Sequence, residues 1–346
     1  MISIKQITDQ FKTNGAYRTY MKYGNGTVNE TYLVTASREL YILRKFNPKK
    51  IDHVPSVVAN TLEITNHLKS KEICTLQFIE SLEGKYYVID AEGFYWIMSL
   101  YYSGTVTPQQ TKNNRMAFQA GKVVGEFHTA LSDFPIEKLQ ETNNESFNLE
   151  KKVEEVTKLV NSQEIPVEFS DTILDLLNQG RSLVSLWNLM ETNRFPQRLI
   201  HGNAKLENML FNTKEEALCL VDFDTITKGN ILFDVGSAAC SVAGNACAAE
   251  KYDNMIDWKS DFLKEFITGY FTYASGVLSL EERNSLHDAF RLCAYKHTLD
   301  TLIIFLSAYN NKPEEFEFSA EFISRYDLFR KLNDCSSDVL DIIRSL

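Results

Sequence analysis

No apolar run in this chain approaches the ~18 residues that a membrane-spanning helix needs. The opening Met-Ile-Ser-Ile-Lys-Gln-Ile-Thr-Asp also lacks the apolar centre of a secretory leader. A cytoplasmic protein with no membrane partner is expected. Cysteine is scattered: Cys74, Cys219, Cys240, Cys247, Cys293 and Cys335 contain no Cys-x-x-Cys pair. That spacing excludes a zinc ribbon and a disulfide frame, and fits reduced thiols. Positive charge is in deficit, with 36 Lys and Arg against 46 Asp and Glu, a net charge of −10. An acidic surface argues against nucleic acid as the main partner and against an anionic membrane surface. Internal repeats and low-complexity tracts are absent.

What the chain does have is length and a change of pattern. Its 346 residues suffice for two lobes with a sizeable core. Residues 2–16 read as a short helix with Ile4, Ile7 and Phe11 on one face. Gly24 and Gly26 then sit between two strand-like runs, as in a hairpin turn. The amides of such a turn can approach phosphates closely, although a plain hairpin also accounts for the glycines. The next strand, Leu40 to Phe46, carries Arg44 and Lys45 near its end. Side chains alternate along a strand, so the two face opposite ways. Arg44 is the first candidate for a phosphate-binding cation and Lys45 the second.

A helix is expected over 56–70, with Glu63 as a carboxylate able to orient the basic strand residue. Strands are expected over 76–79, 86–89 and 95–102. After the last of these the pattern turns helical, through 116–134, 147–160, 171–193, 255–275, 279–309 and 319–345. The reading is therefore α+β, with a β-rich unit over 1–102 and a helical unit over 103–346. Leu100 and Tyr102, at the junction, are candidates for backbone contacts to a base.

The most specific signal is His201-Gly202-Asn203-Ala204-Lys205-Leu206-Glu207-Asn208, followed by Asp222-Phe223-Asp224 after the apolar run Leu218 to Val221. This order is that of a kinase catalytic loop and its metal-binding strand, with one exception. The position of the catalytic Asp is Asn203. Phosphoryl transfer needs positioning and charge neutralisation more than covalent chemistry. Asn208, Asp222 and Asp224 offer hard oxygen ligands suited to Mg²⁺. Lys205 supplies a point charge for the transferring group, and His201 braces the loop. Asp234, at the start of a helix, is expected to brace the same loop through backbone amides.

On these motifs, together with Tyr95-Trp96 and Phe305-Leu306-Ser307-Ala308-Tyr309, the whole chain resembles the aminoglycoside phosphotransferase and choline kinase superfamily. Within it the resemblance is nearest to the N-acetylhexosamine 1-kinase group. The resemblance implies a bilobal protein-kinase-like fold, ATP with Mg²⁺, and transfer to a hydroxyl of a sugar or related small molecule by a monomer or homodimer. By match, Asn208 and Asp222 carry metal and Asn203 occupies the general-base position. Two departures stand out. An Asn cannot take a proton at neutral pH, and Ile304 stands where an Arg that holds the sugar is expected. A kinase-like binding protein without turnover is the alternative. A protein kinase is disfavoured by Gly202 and by the lack of an Ala-Pro-Glu segment after Asp222.

Overall fold

The computed structural model describes residues 2–24, 29–48, 53–142, 148–162, 165, 167–191, 195–244, 258–309, 320–334 and 336–344. The N-terminal part begins with α1 (Ile4–Thr8), capped by Ser3 and Gln6 in a reciprocal capping box. Then come β1 (Tyr17–Lys22), β2 (Glu30–Ala36), β3 (Leu40–Phe46), α2 (Val54–Ser70), β4 (Val88–Ile89) and β5 (Tyr95–Leu100). The strands form one antiparallel sheet in the order β1-β2-β3-β5-β4. Alternation along β3 splits its side chains between two apolar layers. Tyr41 and Leu43 pack with Ile7, Phe11, Trp96 and Met98 on the α1 side. Phe46 packs with Val54, Val58 and Ile97 on the α2 side.

The larger part is mostly helical. It runs through β6 (Thr105–Val106), α3 (Asn114–Ala130), α4 (Leu149–Asn161), α5 (Val167–Met190), β7 (Arg198–Ile200), β8 (Met209–Asn212), β9 (Ala217–Leu220) and β10 (Thr227–Gly229). α6 (Leu232–Ala243), α7 (Ser260–Ala274), α8 (Leu280–Asn284), α9 (Leu286–Tyr309), α10 (Ala320–Asp334) and α11 (Ser336–Arg344) follow. Two small antiparallel sheets, β10-β7 and β6-β8-β9, flank the 201–208 loop. α3 and α7 touch backbone to backbone. A Cβ on Gly121 would lie 1.9 Å from the Phe266 carbonyl oxygen, and one on Gly269 would lie 2.1 Å from that of Phe118. Only glycine permits that approach. The approach brings Tyr270 of α7 to His128 of α3, Oη to Nδ1 at 3.0 Å.

Several expected elements are altered. The first helix stops at Thr8, and Phe11 instead bridges Ser81. Residues 76–79 do not form a strand. Their backbone pairing with β5 is the Phe78–Ser99 bridge, with hydrogen bonds from Ile79 N–H to Met98 O and from Leu100 N–H to Gln77 O. The span expected as one helix over 279–309 is divided at Ser285, the C-cap of the short α8, whose amide turns back to the Glu281 and Glu282 carbonyls; Ser279 and Glu282 form a capping box at the other end of α8. Among the described residues, no helix is long and apolar enough to cross a membrane.

Candidate active site

The loop between β7 and β8 is fixed from below. Asp234, buried in the first turn of α6, accepts hydrogen bonds from the amides of His201 (2.6 Å) and Gly202 (2.8 Å). Gly202 has a φ of +78°, a conformation that glycine adopts without strain. The Asp234 carboxylate also meets His128 Nε2 at 3.1 Å, so Tyr270, His128 and Asp234 form a buried chain beneath the loop. At the far end of the loop, the Leu206 amide donates to Ser241 Oγ at 2.9 Å, which ties the loop to α6 a second time.

His201 is fully buried, and burial holds its pKa below the usual value. Its Nε2 lies 3.0 Å from the Val221 carbonyl, and its Nδ1 lies 3.3 Å from the Asn203 amide. A neutral ring with the proton on Nε2 satisfies both contacts. Both ring nitrogens of His201 face protein backbone, which fits the expected bracing of the loop. The residue links the loop to the end of β9, and Thr225 Oγ1 donates to its carbonyl at 2.9 Å.

Asn203 is half-buried. Its carbonyl accepts from the Lys205 amide at 2.9 Å and from Asn208 Nδ2 at 2.8 Å. Use of Nδ2 leaves Asn208 Oδ1 as an acceptor, and the residue is 6% exposed. Lys205 is more open, with its side chain 39% exposed and its Nζ 2.6 Å from Glu207.

Opposite this loop, β3 presents Arg44. Its guanidinium lies 2.6 Å from Asp222 and makes two bonds to Asp224, at 2.7 and 3.1 Å. Asn29 donates to Asp224 at 2.9 Å. One cation thus gathers two carboxylates, and they respond differently. Burial pushes Asp224 up to about 6 against the pull of Arg44, while Asp222 is held below the usual carboxylate range. For Asp222 burial is again the largest influence, but Arg44, His201 and Lys205 together overcome it. Asp222 has a φ of +69°, a left-handed backbone that a non-glycine residue adopts at a cost in energy. Such strain persists only where the surroundings fix it. Here the Val221 carbonyl bond to His201 and the ion pair to Arg44 do so.

Four of the cofactor candidates lie outside this cluster. Lys45 is on the outer face of the sheet, its Nζ 3.9 Å from the centre of the Phe94 ring and 5.4 Å from that of Trp96. Strand alternation sends it there. Glu63 is exposed and does not meet Arg44, because α2 turns Val57, Val58, Thr61, Ile64, Thr65 and Leu68 inward. Asp222 and Asp224 serve as the Arg44 counter-ions instead. The Leu100 amide is taken by the Gln77 carbonyl, so it is not a free donor for a base. Tyr102 closes off the same end of β5, its hydroxyl bonded to the Thr75 carbonyl at 2.7 Å. Gly24, two residues after β1, has a φ of +72°, and Gly26 lies outside the described residues.

Sequence reasoning passed over Asn29, 8% exposed beside Asp224 with its buried Oδ1 lacking a hydrogen-bond partner. A polar residue just before a strand is too common to single out. Nor does any local pattern mark His128 as a partner of Asp234.

The donor set fits a hard divalent cation. Asp222, Asp224 and the Asn208 amide oxygen are all oxygen ligands, and the orphaned Asn29 oxygen lies beside them. The described residues contain no group of three or more His, Cys, Asp or Glu able to hold a metal by themselves. Such an ion would need further oxygens from water or from a phosphate, as Mg²⁺ sites of this kind do.

Arg44 of the N-terminal sheet, paired with Asp222 and Asp224 close to the 201–208 loop, is an arrangement suited to a phosphotransferase of kinase-like fold. The comparisons agree. Residues 19–278 match the phosphotransferase enzyme family, and the chain belongs to it. Among solved structures, a microcompartment-associated aminopropanol kinase is 14% identical with a TM-score of 0.65, covering 98% of each chain. A spectinomycin phosphotransferase, solved with ADP and spectinomycin, is 16% identical with a TM-score of 0.63, covering 95% of this chain and 93% of its own. A choline/ethanolamine kinase family protein from Mesorhizobium loti is 16% identical with a TM-score of 0.58, over the same shares. At these identities the likeness shows the fold: α+β and bilobal, as in the aminoglycoside phosphotransferases and choline kinases.

Proposed function

We propose that this small-molecule phosphotransferase moves the terminal phosphoryl of ATP to a hydroxyl of a sugar or amino sugar. The pairing of Arg44 with Asp222 and Asp224, next to Val221 whose amide donates to the Asn208 carbonyl at 2.9 Å, carries the reading. Asn208, Asp222 and Asp224 would hold Mg²⁺, which neutralises phosphate charge when bound. Arg44 would release the two carboxylates and turn to the phosphates of the nucleotide. Lys205 would leave Glu207 for the transferring group. Gly24, two residues after β1, would let the backbone approach the phosphates. Asn203 would orient the acceptor hydroxyl by a hydrogen bond without removing its proton. We place the division between the nucleotide-binding and helical units at residues 102/103.

One observation favours a second reading, a nucleotide- or metabolite-binding protein of the same fold with little turnover. Asn203 has no carboxylate to accept a proton, whereas every phosphate-side group is retained. The test is ADP release with Mg·ATP over amino sugars, neutral sugars and amino alcohols, run on the protein and on Asn203→Asp. Turnover of a sugar by either form supports the proposal. Turnover of amino alcohols alone replaces the acceptor class, and nucleotide binding without any turnover favours the second reading.

A further inference from the structure

Cys74 and Cys219 lie far apart in the sequence and meet beside the cleft. Cys74 is in the segment joining α2 to β4 and is exposed, whereas Cys219 is in β9 and buried. Both also line one small cavity, walled by Leu68 and Ile73 on one side and by Phe127, Leu220 and Phe223 on the other. Cys219 pairs across the sheet with Leu210, and the chain reaches Asp222 just beyond it. A link at this point would fasten the segment after α2 to the strand that carries the candidate metal ligand.

We propose that Cys74 and Cys219 are a modification site, a thiol pair that closes to a reversible disulfide when it meets a low-molecular-weight disulfide. The two thiols are suited to different steps. Cys74 is the one that solvent reaches, and its neighbour Cys219 draws its thiol down to about 7 against the opposing effect of burial. Cys219 is shut away from solvent, and its neighbour Cys74, with burial, pushes its thiol well up. Thiolate character and access select the attacking sulfur.

In the first step the Cys74 thiolate attacks one sulfur of oxidised glutathione. That S–S bond breaks, a mixed disulfide forms on Cys74, and one glutathione thiolate leaves. In the second, Cys219 gives up its proton and its sulfur attacks the Cys74 sulfur. The mixed disulfide breaks, and a second glutathione thiolate leaves and is protonated. Two protein thiols are oxidised as one glutathione disulfide is reduced to two thiols. The other buried thiols are poor rivals: burial pushes Cys240 up to about 12 and Cys293 well above its usual value.

The test equilibrates the intact protein with glutathione buffers of graded oxidised-to-reduced ratio at neutral pH, alkylates remaining thiols in denaturant, and maps peptides by mass. The expected product has lost two hydrogens and yields one peptide pair joined through Cys74 and Cys219, which dithiothreitol separates. Cys219→Ala should stop at a glutathione adduct on Cys74, and Cys74→Ser should leave Cys219 unmodified. The inference is overturned if the unsubstituted protein stops at the adduct with Cys219 still alkylated, or if the cross-link joins a different pair. Neither readout uses nucleotide or turnover, so the result stands apart from the proposed phosphotransfer.

Discussion

The two sides of the cleft are built in opposite ways. On the side of β3 and Asp222, every charged group is locked to another. Arg44, Asp222 and Asp224 form one cluster, with Asn29 as a fourth member. On the side of the 201–208 loop, rigidity comes from backbone bonds to Asp234, Val221 and Ser241. The side chains there are freer: Lys205 reaches only to a neighbouring exposed Glu207. The first side is pre-formed to hold charge, and the second is pre-formed only in its main chain. A carboxylate missing from the second side leaves the loop geometry intact, because none of the loop's bracing bonds runs through the Asn203 side chain.

The sharpest way to break this comparison is to remove a charge from the locked side. Asp222→Ala is expected to abolish the thermal shift that Mg·ATP produces, while the fold survives because Arg44 keeps its two bonds to Asp224. An undiminished shift would show that the cluster is not the metal site. On the other side, restoring a carboxylate should leave binding alone and change rate. General-base assistance is worth on the order of 10²–10⁴ in rate. Asn203→Asp is therefore expected to raise turnover by roughly 10²-fold or more with an unchanged nucleotide Kd. Equal rates for the two forms would mean that position 203 takes no part in proton removal.

The neighbours Arg44 and Lys45 make the comparison within one strand. A hydrogen bond to a charged group is worth about 1.5–3 kcal/mol, so Arg44→Ala should weaken nucleotide binding by roughly ten- to a hundredfold. Lys45→Ala, on the aromatic outer face, should leave it nearly unchanged. Arg44→Ala also leaves Asp222 and Asp224 without their cation. Mg²⁺ alone should then raise its Tm by more than it raises that of the unsubstituted protein. Matching Mg²⁺ shifts would show that Arg44 does not compete for those carboxylates.

How much of this was legible follows from the range of each cause. The Arg44/Lys45 division is a matter of strand parity, which neighbouring residues carry. The catalytic-loop order His201, Lys205, Asn208, Asp222 is a short linear pattern, and the α+β layout follows from the change of pattern near residue 102. The pairing of Arg44 with Asp222 and Asp224 was not legible, since it joins β3 to the end of β9 through the tertiary fold. The chain Tyr270–His128–Asp234 depends on the close approach of α3 and α7 at Gly121 and Gly269, and no local pattern announces that. The reduced strand at 76–79 has the same origin: its apolar residues suit a strand, but its backbone pairing with β5 is a bridge.

Glu63 tests the remaining assumption, that a helical carboxylate balances the strand cation. The α2 residues that line the space next to Arg44, namely Val57, Val58, Thr61 and Leu62, are apolar or hydroxylic. Glu63 does not line that space and lies on the solvent side of the helix. Surface substitutions away from such contacts usually stay within about 0.5 kcal/mol. Glu63→Gln is thus expected to leave both Tm and nucleotide affinity within that margin. A loss comparable to that of Arg44→Ala would mean that α2 rotates when nucleotide binds, swinging Glu63 inward as Arg44 leaves the two carboxylates. The measurement is a nucleotide titration of Glu63→Gln beside Arg44→Ala under one set of conditions, and the expected order places Glu63 last.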